Sequence, residues 1–340
     1  LVARPLTAMR AGLIAGICVA FVLILRLSPL RLFFALEPLH AMMWAGVAGI
    51  VAVAGALALW SASVPVRRMP RPSAPTRFKM REMVAWALSR GSPKWFLASS
   101  AALVLGGAWL FLGILEDVVS RDPLVEVDAF VYEITRTLRT PGGDRFLVAV
   151  TELGDVQVVL PVILLALGWF VAHRFWRTAI YWLAAVGVAE ALVKVLKLAL
   201  HRPRPGALYD GIEQFSFPSG HATLSVVVYG FLAFLLSVRA SHRLRIFIVS
   251  ATALLIGAIA WSRLYLGAHW MSDVLGGLSF GTAWIAALAV TYLYQRREAL
   301  NTRSLATVVL ATFAIAATVH VATSHAVDLV RYAPVLGGNK

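Results

Sequence analysis

A single cysteine, Cys18, in 340 residues leaves no thiol pair for a disulfide and no cysteine set for a zinc site. Charge is scarce as well. Asp, Glu, Lys and Arg make up 14% of the chain against 60% apolar residues, whereas soluble domains carry about a quarter charged residues. Apolar segments of the length found here cannot all hide in one aqueous core, which excludes a water-soluble or disordered chain. Acid is scarcer than base, 17 residues against 31, and a formal charge of +14 would in principle suit nucleic acid. Placement excludes that reading, because most basic residues fall in short runs beside apolar segments, where they fix topology against an anionic leaflet. No internal repeat stands out.

What is present is a series of apolar runs near the length of about 20 residues that crosses a bilayer. They cover roughly 11–27, 41–62, 95–115, 156–173, 178–198, 219–238, 246–263, 271–294 and 304–323, and predict an all-α polytopic membrane protein. The first run is read as a retained span, since Arg26, Pro29 and Arg31 follow it in place of a small-residue cleavage site. A basic, proline-rich linker at 64–94 holds Arg67, Arg68, Arg71, Arg77, Lys79, Arg81, Arg90 and Lys94 against Glu82 alone. It divides the chain into an amino-terminal helix pair (1–63), a larger unit (95–294) and a final helix with its tail (295–340).

The linker is expected to be cytoplasmic. Counting spans onward puts the basic turns 173–177, 239–245 and 295–298 on the same side. The acidic loop 116–155 falls on the other side, with the amino terminus inside and the last tail outside. Within that loop, Val127, Phe130, Val131, Ile134 and Leu138 recur at helical spacing and predict a short amphipathic helix along the membrane surface.

Three polar segments interrupt the apolar pattern, and this topology sends all three to the outer face. They are 197–205 (KLALHRPRP), 217–221 (FPSGH) and 262–273 (SRLYLGAHWMSD). In the second, Ser219 can cap a helix and Gly220 lets a ligand approach the backbone, which together make an anion seat with His221 in reach. Lys197, Arg204 and Arg263 add three cations where an unpaired charge is costly and a bound phosphate would compensate them. His269 and Asp273, four residues apart at a helix opening, share one face. The carboxylate can hold one imidazole nitrogen and leave the other to attack, while the second histidine serves the leaving oxygen.

The order and spacing of these residues resemble a known signature. Lys197 with six residues to Arg204-Pro205, then Pro218-Ser219-Gly220-His221, then Ser262-Arg263 with five residues to His269 and three more to Asp273, is similar to the three-part signature of the type 2 phosphatidate phosphatase (PAP2) superfamily. An alternative register, Lys194 with Arg202-Pro203, leaves seven intervening residues and is set aside. That superfamily holds membrane lipid phosphatases, soluble acid phosphatases and vanadium haloperoxidases, and its membrane members have a six-helix core, here about 95–294. The resemblance implies that His269 is the nucleophile, Asp273 its orienting acid and His221 the general acid. It implies further that Lys197, Arg204, Arg263, Ser219 and the Gly220 amide hold the phosphoryl oxygens, with no metal or other cofactor.

The expectation is a lipid phosphate phosphatase of the membrane branch, placed in a bacterial inner membrane with its site on the periplasmic side. Its partners are the membrane and a lipid phosphate, such as undecaprenyl diphosphate, phosphatidate, phosphatidylglycerol phosphate or lipid A. Nucleic acid is excluded, and no protein partner can be inferred. A phosphotransferase using the same phosphohistidine, a non-enzymatic transporter or scaffold, and a haloperoxidase are the rival readings. Glu190 is expected to pair with Lys194 inside the fifth span, and His201 and Tyr209 to border the site. His320 and His325 are expected to be interfacial polar residues.

Overall fold

The computed structural model describes residues 93–120, 124–206, 208–294 and 298–333, and the first two predicted spans with most of the linker lie outside them. The described residues form nine long helices and one 3-10 turn, Gly211–Gln214: α1 (Pro93–Ser120), α2 (Leu124–Thr137), α3 (Pro141–Glu152), α4 (Val156–Ala172), α5 (Trp176–Leu200), α6 (Gly220–Ser237), α7 (His242–Tyr265), α8 (Met271–Tyr294) and α9 (Thr302–Arg331). The middle of α6, Val226–Gly230, is wound as a π-helix. No strand occurs among the described residues; an isolated bridge joins Pro203 to Phe215.

Among the described residues, six stretches are long and apolar enough to cross a membrane: Ala102–Ser120, Pro141–Ala172, Gly220–Ser237, His242–Tyr265, Met271–Leu293 and Thr302–Arg331. This is an integral membrane protein. At about 1.5 Å per residue, the 24 residues of α7 or α8 suffice for a hydrocarbon core of about 30 Å. Helix α5 carries Glu190, Lys194 and Lys197, yet runs the length of the bundle, with Thr178 held by Glu298 at one end and Lys197 in the polar cluster at the other. The stretch before residue 156, read from sequence as loop, is instead helix α3. Thr140 caps it by accepting from Gly143 N at 3.1 Å, Pro141 takes the first turn, and Leu147, Val148 and Val150 are buried; the Gly142-Gly143 pair masks this start in the sequence.

Helix ends follow local chemistry. Ser219, Ser241 and Asn301 cap α6, α7 and α9 with side-chain oxygens. His201 takes the left-handed conformation that stops α5, and Gly267, at φ +66°, makes the turn between α7 and α8. Helix α8 packs antiparallel along α1, since Gly107 approaches Ala283 while Gly276 lies nearer Ile114. Helix α9 lies along α3 and α4.

The interior is filled by Phe170, Trp182, Phe231 and their aliphatic neighbours. The indole N–H groups of Trp182 and Trp284 donate to Ile163 O and Ala185 O, so neither polar edge is wasted. Outward-facing Trp109, Leu164, Phe247, Leu254 and Ile315 leave an apolar exterior suited to lipid. Helix α2 is amphipathic as its spacing predicts. Its apolar residues Val127, Phe130 and Ile134 face away from the protein, while Asp128 and Thr135 are buried against it.

Candidate active site

The three polar segments meet at one end of the bundle. The Ser219 amide donates to Asp273 O at 3.0 Å, Arg204 Nη1 donates to Ala268 O at 2.6 Å, and the His269 amide donates to Arg263 O at 3.2 Å. All eight residues singled out from the sequence belong to this cluster or its border.

His269 is almost wholly buried. Its Nδ1 lies 3.3 Å from Asp273 Oδ2, and its Nε2 lies 2.8 Å from Arg204 Nη1. A guanidinium can only donate, so Nε2 is the accepting nitrogen and Nδ1 carries the proton toward Asp273. Burial, then the charges of Arg204, Arg263, Lys197 and His221, push the His269 imidazole well below the usual histidine range. Both the cations and the burial favour the uncharged ring.

Asp273 is fully buried and accepts from several donors: the Trp270 amide at 2.9 Å, Arg202 Nη1 at 2.6 Å and Ser216 Oγ at 3.3 Å. Arg202 was set aside in choosing the register. It bridges Asp273 to Asp128, 2.6 Å from an oxygen of each, and Ser272 joins the same network through its amide and hydroxyl. The side-by-side arginines of HRPRP thus face different ways, Arg204 onto the histidine and Arg202 onto the acid behind it.

The register of the first segment follows from burial. Lys194 pairs with Glu190 at 3.0 Å on a part-exposed face, so that pair forms as expected but is not buried within the protein. Lys197 is buried and reaches Glu213 at 2.5 Å; Glu213 Oε2 also lies 3.6 Å from Arg204. Burial raises the Glu213 carboxyl, but Lys197 and then Arg204 outweigh it and hold the group below the usual carboxylate range. Burial and the neighbouring Arg263 lower Arg204 to about 10, which still leaves it charged at neutral pH.

Arg263 is fully buried, and its partners are hydroxyls: Thr151 at 2.7 Å, Tyr332 at 2.9 Å and Tyr209 at 2.8 Å. Its Nε is buried with no partner. Burial raises the Tyr332 hydroxyl against the opposing pull of Arg263, so no phenolate neutralises the cation. A buried guanidinium served only by neutral oxygens favours an incoming anion. Tyr209, expected to border the site, also lies under Arg204, its ring centroid 4.4 Å from the guanidinium carbon. His201 packs edge-on against Phe215 instead of entering the cluster.

Ser219 is the N-cap of α6 and its hydroxyl accepts from Ala222 N at 3.4 Å, so its side chain is committed to the helix start. Gly220 opens the helix, and a methyl at its Cα would meet only Val193 at 3.8 Å, so there is open space at this end of the helix, where the first amides have no partner within it. His221 Nε2 lies 2.6 Å from Asp155 Oδ1. Asp155 heads α4 without capping it, because its carboxylate is spent on His221 and, through Oδ2 at 2.9 Å, on His320. His320 and His325, expected to be interfacial polar residues, both have partners within the protein: the first is buried on Asp155, and the second, part-exposed, pairs with Glu152 at 3.0 Å. Neither partner is visible from the sequence because each lies more than a hundred positions away, though an ionisable residue inside an apolar run is itself a signal. Asp155, His320 and Asp328 offer ligand atoms within 4.8 Å of one another, but Asp155 serves two imidazoles and Asp328 pairs with Arg331 at 2.7 Å.

Known proteins resemble this chain in sequence. The profile of the PAP2 superfamily matches residues 178–298, a narrower stretch than the 95–294 core expected from spans. Phosphatidylglycerophosphatase B of Bacillus subtilis (strain 168) is 31% identical over 180 residues, covering 51% of this chain and 87% of that protein. Lipid A 1-phosphatase of Rhizobium etli is 33% identical over 124 residues, 33% of this chain and 49% of that protein. A crystal structure described as the first transmembrane PAP2 type phosphatidylglycerolphosphate phosphatase from Bacillus subtilis aligns with 26% identity and a TM-score of 0.47, over 54% of this chain and 93% of that one.

Proposed function

This chain belongs to the PAP2 superfamily, and from that premise we propose that it hydrolyses a phosphate monoester or diphosphate of a membrane lipid through a phosphohistidine on His269. One observation carries the reading. A buried imidazole presents Nε2 to the guanidinium of Arg204, with a carboxylate at its other nitrogen and the charges of Arg263 and Lys197 acting on the ring.

The lipid phosphate displaces Arg204 from Nε2 and takes its guanidinium as an oxygen ligand. Lys197, Arg263 and the Gly220 amide complete the seat, meeting the charge that gathers on the equatorial oxygens. The Nε2 lone pair forms the P–N bond, the bond from phosphorus to the lipid oxygen breaks, and His221 gives that oxygen its proton. Water then attacks phosphorus and yields its proton to His221, while the P–N electrons return to His269. Asp273 holds the ring in one tautomer throughout and stabilises the charge that forms on it. Cations supply the electrostatic stabilisation, so no step calls for a metal.

The site is proposed to face the periplasm of a bacterial inner membrane. The basic turn 173–177 supports this, since Arg177 meets Tyr292 O and Glu298 at the end of α5 remote from Lys197, and the sequence sets the basic runs 239–245 and 295–298 on that same side of the spans, as the positive-inside rule requires. The apolar outer face of α2 beside the site suits a lipid that enters sideways. The relatives act on different head groups by name, which supports a lipid phosphate as the class without choosing among phosphatidylglycerol phosphate, lipid A and the others.

Phosphate release from a panel of these lipids by the purified protein, with and without EDTA and beside a His269→Ala variant, tests the reading. Release that persists in EDTA and vanishes in the variant is expected. Transfer of labelled phosphate to a second lipid, release unchanged in the variant, or release abolished by EDTA would each contradict it.

A further inference from the structure

Helix α9 lies beyond the stretch that matches the superfamily, yet its side chains reach the site at several points. The Tyr332 hydroxyl accepts from Arg263 and shares a hydrogen bond with the Tyr209 hydroxyl, Arg139 Nη2 holds Tyr332 O at 2.5 Å, His325 pairs with Glu152, and His320 pairs with Asp155. The last contact bears on the chemistry. Asp155 stands between two imidazoles, with Oδ1 at 2.6 Å from His221 Nε2 and Oδ2 at 2.9 Å from His320 Nε2.

Building on the phosphohistidine reading, we propose that His320 is a positioning residue of this reaction, fixing through Asp155 the imidazole of His221 that protonates the leaving oxygen. A carboxylate only accepts, so both contacts put a proton on Nε2 of the two rings. His221 is then left with Nδ1 as the nitrogen that gives and takes the catalytic proton. Without the second imidazole, Asp155 can swing about its own side-chain bonds, and as the head residue of α4 it has an alternative partner in the free amides of that helix. His320 holds it off the cap and on His221. Two constraints show how closely the ring is placed: a methyl at Gly154 would come 2.9 Å from His221 Cδ2, and Tyr229 pins the backbone before Asp155 by donating to Leu153 O at 2.6 Å.

A role confined to satisfying polar groups inside the bundle would make the same contacts, so the test must read proton donation itself. An alkyl phosphate ester leaves as a poor alkoxide that needs the acid, whereas p-nitrophenyl phosphate leaves as a stable phenolate that does not. The experiment measures kcat for both substrates with the full-length protein in detergent, comparing wild type, His320→Leu, His320→Gln and His269→Ala. A positioned acid contributes about a hundred- to ten-thousandfold, so losing its support is expected to cost about tenfold or more on the lipid ester. The expected result is that loss in His320→Leu with p-nitrophenyl phosphate turnover nearly retained, partial recovery in His320→Gln, whose amide can still donate to Asp155, and inactivity of His269→Ala on both. Equal loss on both substrates, or none on either, overturns the role of His320 while leaving the nucleophile intact. A wild type that releases phosphate from neither substrate, or a fully active His269→Ala, overturns the underlying reading as well.

Discussion

Replacing Arg202 with methionine removes one cation from between two buried carboxylates. Arg202 is 2.6 Å from Asp128 and 2.6 Å from Asp273, with side-chain exposures of 11%, 1% and 0% for the three residues. Removing one partner of a buried ion pair costs about 3–5 kcal/mol, because the charge left behind has neither water nor a counter-ion. Here two carboxylates are stranded at once, joined through Ser272. The stability loss should reach at least the lower end of that range and appear as a lowered melting temperature in detergent. Activity should fall too. Asp273 keeps the Trp270 amide and Ser216 as donors, so the loss is expected to be about a hundredfold, short of the roughly ten-thousandfold of an orienting acid removed outright. Adding Asp128→Asn separates the two effects. It removes the second stranded charge and should restore about 0.5–3 kcal/mol as a coupling term, without restoring turnover. Arg202→Lys, a point charge in place of a fork, should be intermediate in both respects. The assay is paired melting and phosphate release on all four proteins. A methionine variant that melts and turns over like wild type would refute the claim that Arg202 holds Asp273.

Three further outcomes are expected. Gly154→Ala sets a methyl 2.9 Å from both His221 and Ile259, and the displaced ring should lower kcat about tenfold to a hundredfold on a lipid ester with little change in KM. Glu213→Gln frees Lys197 and Arg204 from their internal anion, so inorganic phosphate should inhibit several-fold more tightly while kcat changes little; unchanged inhibition would show that Glu213 does not compete for the seat. His269 is held well below the ordinary histidine range, so below about pH 6.5 the unfolded chain binds a proton that the folded site refuses. Stability should therefore drop as pH falls through that window, and His269→Gln should lose less between pH 7 and pH 5 in a melting series.

Much of this was legible in the chain. The apolar runs locate α1 and α4 to α9 because bilayer-length hydrophobicity is a local property, and the histidines, cations and Asp273 announced themselves by fixed spacing within short segments. What escaped depends on how distant helices cross. Asp155 and His320 are 165 residues apart, and each looked like an ordinary polar residue until α9 lay against α4. Asp128 was counted as one acid of an outer loop, but the helix it sits on turns its apolar side outward and its carboxylate inward. Arg202 lost to Arg204 in a contest for one role, when the geometry gives each its own.

Trapping the covalent intermediate tests the central claim most directly. The protein is mixed with a lipid phosphate labelled in its phosphoryl group, quenched in alkali within the first turnover, and digested for peptide mapping. The account predicts an alkali-stable, acid-labile label on the peptide bearing His269, absent from His269→Ala. Label on another residue, or phosphate release in a single turnover with no labelled protein at any time, would contradict it.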